Sequence, residues 1–150
     1  STVDGSVLAS IPIDAKPLDL AVDTEGFFYV LSAASSNPVI SGDPVSLRKL
    51  DPSGQVVAGP VVLKDAIYLS LAADGLVYVS STDFVPSTRQ ILSFNAALEP
   101  LEVTPLPVEY EGFAGGITSV GVGVDQRVLT SGQAGVGSGE ICDVLVYRSI

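Results

Sequence analysis

Carboxylates dominate the reactive side chains of this chain. Seventeen acidic residues stand against seven basic ones in 150 residues, with no histidine and a single cysteine. Without imidazole there is no Ser–His or Cys–His dyad and no histidine metal ligand. One thiol closes neither an intrachain disulfide nor a thiolate zinc site. The chemistry left is oxygen ligation of a hard divalent cation and acid–base work by paired carboxyls. Asp19 is the candidate for the first. It sits between Leu18 and Leu20 and shares its place with Ser70 and Ser119 in a segment that recurs along the chain. A lone carboxylate among apolar neighbours needs a partner, and oxygen ligation there suits Ca²⁺ or Mg²⁺. The plainer reading, which the sequence favours, is a solvated carboxylate bonded to water or to backbone amides.

The other acids read as structural. Glu99 and Glu102 flank Pro100, and Glu109 and Glu111 flank Tyr110. Both pairs fall in the Pro- and Gly-rich stretch 98–116 and read as solvated loop charges. Asp23, Asp74 and Asp125 recur at intervals of 51 residues. Each is expected to open a turn, where an Asp side chain accepts backbone N–H bonds. Asp43, Asp65, Asp83 and Asp143 fall in connections and read the same way. The run Ser131–Gly139 has the glycines of a phosphate loop but neither its lysine nor a following helix. Cys142 has no adjacent His or Lys to activate its thiol and reads as a small buried apolar residue. Asp19 thus stands alone as a metal candidate, and no catalytic or cofactor-binding residue is expected.

Net charge is −10, which repels phosphate backbones and anionic lipid. No apolar run approaches the roughly 18 residues that span a bilayer. The expectation is therefore no nucleic-acid partner and no membrane insertion. With 47% apolar residues the chain can bury a core, and its length suits one domain, residues 1–150. Low lysine content and many Ser and Thr lean towards an extracytoplasmic site. The sequence contains no methionine. A clipped initiator, a removed leader and a longer precursor all fit that absence.

The elements that must position these residues repeat. Pro17–Leu31 followed by Ser46–Val57, Tyr68–Ser80 followed by Gln90–Asn95, and Thr118–Thr130 followed by Asp143–Arg148 read alike. Each unit is strand, Asp/Gly turn, strand, longer loop, strand, turn, strand. The second strands, Phe27–Leu31, Leu76–Val79 and Val128–Leu129, are apolar almost throughout, so both of their faces need cover. No helical period is long enough to supply it. Four-stranded sheets stacked face to face around an axis do, which is a β-propeller. A two-sheet β-sandwich is the alternative; it predicts cleaner alternation and no such period.

The run Pro17-Leu-Asp-Leu-Ala-Val-Asp-Thr-Glu-Gly-Phe-Phe-Tyr-Val30, followed by Leu47-Arg-Lys-Leu-Asp-Pro-Ser-Gly54, resembles the NHL-type repeat of β-propellers. In that family Pro-x-x-hydrophobic-x-Val-Asp-x-x-Gly-x-hydrophobic-Tyr-Val precedes a strand and an Asp/Gly turn. The resemblance covers most of the chain as three repeats and is best in the first. It departs after Tyr-Val, where the family commonly has Ala-Asp and this chain has Leu31-Ser32, Ser80-Ser81 and Thr130-Ser131. It implies a propeller fold and no single activity, since such propellers serve as scaffolds, lyases, lactonases and binding domains.

The phase of the repeat suggests how a ring would close. Blades are expected at about 17–63, 67–108 and 117–150, with 3–13 as an outer strand exchanged into the last blade. Closed propellers have about four to eight blades. Three blades make half of a six-bladed ring, so a homodimer or a complementary propeller chain is the expected partner. The functional expectation is a noncatalytic binding or assembly scaffold using the loops 32–45, 81–89 and 131–142. A lactonase or lyase with a channel metal, and a structural subunit of a larger assembly, are the alternatives.

Overall fold

The computed structural model describes residues 10–36, 38–84, 87–105, 117–122, 127–135 and 140–148, with the backbone alone at 39–40, 82–84, 87–89 and from 117 onwards. The chain is all-β. Eleven strands among the described residues form three antiparallel sheets, each a meander in chain order. The first holds β1 (Lys16–Val22), β2 (Phe28–Ala33), β3 (Val45–Leu50) and β4 (Val56–Leu63). The second holds β5 (Ala66–Leu71), β6 (Val77–Phe84), β7 (Ser87–Phe94) and β8 (Pro100–Pro105). The third holds β9 (Ile117–Val122), β10 (Arg127–Gly135) and β11 (Glu140–Arg148). A single helical turn, α1 (Pro38–Ser41), lies between β2 and β3.

Glycine chemistry sets the hairpins. Gly26, Gly54 and Gly75 each hold a positive φ, between 86° and 89°, at the fourth position of a five-residue turn. The first residue of each turn exchanges backbone bonds with the fourth and fifth, as Asp23 does with Gly26 and Phe27. A left-handed residue at this position matches the twist of the flanking strands. The β7–β8 turn breaks the pattern: Leu98 holds φ 63° where the others have glycine.

β2 is buried on both faces, as its continuous apolar run predicts. Tyr29, Leu31 and Ala33 join Val45 and Leu47 of β3 in a core shared with Leu69, Val77, Val79 and Phe94 of the second sheet. On the opposite face Val30 and Ser32 lie beneath Pro12, Ile13 and Asp14. β1 packs beside β5, and β9 lies against β5 and β6, so the sheets follow one another in sequence order. The outer strands β4 and β8 carry Pro60 and Pro100 with Pro105, residues that edge strands tolerate.

The first strand of every sheet shares one irregularity. The ladder breaks between Pro17 and Asp19, between Ala66 and Tyr68, and between Ile117 and Ser119. This fixes the true alignment of the units. Asp19 corresponds to Ser119, as the sequence suggested, but to Tyr68 instead of Ser70. The first two units are therefore 49 residues apart, which Gly26 and Gly75 repeat. The 51-residue interval of the acids misled because Asp23 opens its turn, whereas Ala72 opens the next and Asp74 sits two places further in. Two of the expected long loops are also narrower. β6 and β7 pair out to Phe84 with Ser87, and β10 and β11 out to Gly135 with Glu140. Of the expected outer strand 3–13, residues 3–9 lie outside the described residues. Ser10–Ile13 joins no ladder, and Ile11 and Ile13 rest on the first sheet.

Candidate functional site

Three turns at one rim of the first two sheets are built alike around an Asx side chain. Asp23 Oδ1 accepts the amides of Glu25 and Phe27 at 3.0 and 2.9 Å. Asp51 Oδ1 accepts those of Ser53 and Gln55 at 2.8 and 3.0 Å, together with the Ser53 hydroxyl. Asn95 Oδ1 accepts those of Ala97 and Glu99 at 3.0 and 2.9 Å. The donors held by Asp51, led by the Ser53 hydroxyl and the Gln55 amide, keep its carboxyl below the usual value. Hydrogen bonds from Ser41 and Ser35, with a smaller pull from Lys16, do the same for Asp43.

Between the β1–β2 and β5–β6 turns runs a groove of about 560 Å³ whose lining includes Asp23, Glu25, Tyr29, Lys49, Asp74 and Ala96. Lys49 is the one cation among these lining residues. Its ammonium stands 4.4 Å from the Phe27 ring centre and 5.0 Å from that of Tyr29. It donates to the Ala96 carbonyl at 3.2 Å and lies 3.8 Å from Asp23 Oδ2. Tyr29 Oη donates to the same carboxylate oxygen at 3.4 Å. The cation is thus held by two rings, a carboxylate and a carbonyl of the neighbouring sheet. Such an amine fastens the first sheet to the β7–β8 turn; it is not presented as a free nucleophile.

Sequence reasoning missed Lys49, although a signal was there. β3 alternates, and Val45, Leu47 and Lys49 share one parity. The first two are core residues, so the third is a cation on a core-facing row.

Asp19 is placed between the sheets. Its Oδ1 accepts the amide of Leu20 and its Oδ2 that of Leu69 on β5, each at 2.8 Å. The carboxylate therefore bonds across from β1 to β5. Among the described residues no group of three or more acidic, His or Cys side chains is arranged to hold a metal ion. Ser70 lies two ladder positions beyond Tyr68, pairing with Tyr78, and Ser119 pairs with Ser131. Glu99 and Glu102 fall at the β7–β8 turn and on β8, where Glu99 accepts from Asn95 Nδ2 at 2.7 Å. Glu109, Glu111 and Asp125 lie outside the described residues, as do 136–139 of the glycine run. Cys142 pairs with Gln133 in the β10–β11 ladder.

No protein-family model and no curated protein matches the chain.

Proposed function

We propose that this chain is a noncatalytic β-propeller module of NHL-like type, working as a binding and assembly scaffold. The observation that carries the reading is the recurrent ladder break. Three successive sheets bear the same irregularity at the same place in the first strand, and those first strands lie side by side. Blades around an axis require first strands that converge, whereas sheets of a sandwich have no reason to repeat such a detail. Lys49 and Asp23, each already engaged by neighbours, support a framing role over a reactive one. The acidic, lysine-poor composition favours a site outside the cytoplasm.

Blade geometry is tested by spin-label distances in a Cys142→Ser background. Thr24 and Ala73 occupy equivalent exposed turns near the first strands, and Ser53 and Ala97 equivalent exposed turns near the outer ones. A fan of blades makes the Ser53–Ala97 distance clearly longer than the Thr24–Ala73 distance. Equal distances would return the fold to a sandwich. The lactonase or lyase alternative rests on a divalent ion at Asp19. It gains support if Ca²⁺ or Mg²⁺ raises the melting temperature of the wild type but not of Asp19→Asn.

A further inference from the structure

The two four-stranded sheets offer the same face to different surroundings. In the second sheet the rows Leu71–Val77–Phe94 and Leu69–Val79–Leu92 pack beneath the first sheet. Val77 and Val79 there are 0% exposed and Phe94 is 3% exposed. The ladder alignment makes Val22–Phe28–Leu50–Val56 and Leu20–Val30–Arg48 the corresponding rows of the first sheet. No sheet of the described chain covers them. Leu20 and Val56 are 55% and 52% exposed, and Val62 on the same face is 68% exposed. Ile11 and Ile13 lie over this face beside Leu20, Phe28, Val30 and Leu50, and bury Val30 and Leu50 while Leu20 and Val56 stay half exposed.

A second observation bears on the same face. Ser32 is 1% exposed, and its hydroxyl finds no partner among the described residues. Its counterpart Ser81 donates to the Lys64 carbonyl at 2.9 Å, in the link that enters β5 from the outer strand of the preceding sheet. The residue of the first sheet that corresponds to Lys64 is Ala15. Ser32 would be satisfied in the same way if residues before Lys16 ran as the outer strand of a preceding sheet. A buried hydroxyl without an acceptor is costly, and this gives the open face a reason to be completed.

We propose, on the basis of the propeller reading, that this face is the docking surface for the third sheet of a second copy of the chain. The chain contains the matching half. The third sheet pairs Leu129 with Val146 and Ser131 with Val144, at the register positions that Tyr29, Lys49, Leu31 and Leu47 hold in the first. Leu31 and Leu47 are the residues that cover the second sheet. By register the third sheet would take, against the next copy, the place that the first sheet takes against the second, and two copies that each span half a ring would close head to tail about a two-fold axis. Docking lifts residues 10–14 off their own sheet and lets them run beside β11 of the partner. The contact is apolar at Leu20, Val22, Phe28 and Val56, as an obligate interface should be.

Sedimentation equilibrium of the full chain tests this. The expected mass is twice the 15.4 kDa of one chain. Leu20→Glu with Val56→Glu, at side chains already half exposed, should leave far-ultraviolet circular dichroism unchanged and weaken dimerisation about a hundredfold or more. Leu101→Glu with Val103→Glu, on the exposed edge strand β8, should leave the dimer intact. A dimer broken by the β8 pair and not by the face pair overturns the proposal in favour of edge pairing. A wild-type monomer at all concentrations overturns it in favour of a face closed by the chain's own N-terminal residues. The spin-label comparison separates the two failures: a monomer with fanned blades loses the docking surface and keeps the propeller, while parallel sheets remove both.

Discussion

Lys49→Met asks whether the partly buried ammonium holds the sheets together or is kept for a ligand. The substitution preserves most of the stem and removes the charge. It deletes a charge-assisted hydrogen bond to the Ala96 carbonyl, in a class that contributes about 1.5–3 kcal/mol. It also deletes the contacts with Phe27 and Tyr29, together about 0.5–2 kcal/mol. The ion pair with Asp23, at 3.8 Å, contributes less than about 1 kcal/mol. These terms belong to one ammonium and do not add. Against them stands the desolvation that methionine avoids, several kcal/mol for a fully buried ion and less for a side chain that keeps 12% exposure. Asp23 stays behind, but the amides of Glu25 and Phe27 still solvate it. The net expectation is a loss of about 2 kcal/mol, a large share of the 5–15 kcal/mol typical of a domain. Urea unfolding of the wild type, Lys49→Met, Asp23→Asn and the double variant measures it. The Asp23–Lys49 coupling should be about 0.5–1 kcal/mol. Asparagine can keep such a turn, as Asn95 does at the first position of the β7–β8 turn. A Lys49→Met protein as stable as the wild type, or more so, would refute the fastening role and mark the lysine as retained for binding in the groove.

Asp51→Asn should change neutral stability little, because Asn95 serves the same turn in the second sheet. The folded Asp51 carboxyl lies below its ordinary value of 3.8, so its stabilisation is present above that value and is lost as pH falls through the lower folded one. The variant's stability should therefore fall less steeply with acid below about pH 4, as followed by urea melts across that range; an unchanged slope would show that the bonds to Asp51 do not contribute. Leu98→Gly relieves a left-handed leucine, worth about 1 kcal/mol, but empties a side chain that is 3% exposed, at about 2–5 kcal/mol. Its melting temperature should drop, and a rise would show that backbone strain outweighs burial at that turn.

The strands were legible because their pattern is strong. The apolar run Phe27–Leu31 demands cover on both faces, and β2 is buried on both, while the Asp/Gly pairs mark hairpins where glycine φ values are positive. The alignment was less legible. An acid is a poor ruler, because Asp23 and Asp74 serve different places in turns of the same shape. The ladder break after Pro17 and Ala66 is a property of pairing that residue types do not announce. Leu98 was invisible for a related reason: it occupies a glycine position, so no turn signal stands there. Asp19 stood out as a carboxylate among apolar neighbours. Its Leu69 partner is an amide from the next sheet, so only the packing of the two sheets identifies it. Lys49 was legible through parity and overlooked because two adjacent cations, Arg48 and Lys49, look like an exposed charge pair.

Those two cations show how the molecule divides its work. Adjacent residues of a strand point to opposite faces. Lys49 therefore joins Val45 and Leu47 against the second sheet, while Arg48 lines a cleft of about 200 Å³ with Ser32 and Asp14 on the open face. One face of β3 is satisfied within the chain, down to the carbonyl of Ala96. The outer face of the sheet keeps the Ser32 hydroxyl of β2, which finds no partner among the described residues, and apolar residues of β1 and β4 half in water. On the docking proposal, substitutions on the inner face should lower the stability of a single chain, and substitutions on the outer face should weaken its association. The unfolding variant at Lys49 and the sedimentation variants at Leu20 and Val56 thus probe opposite faces of the first sheet.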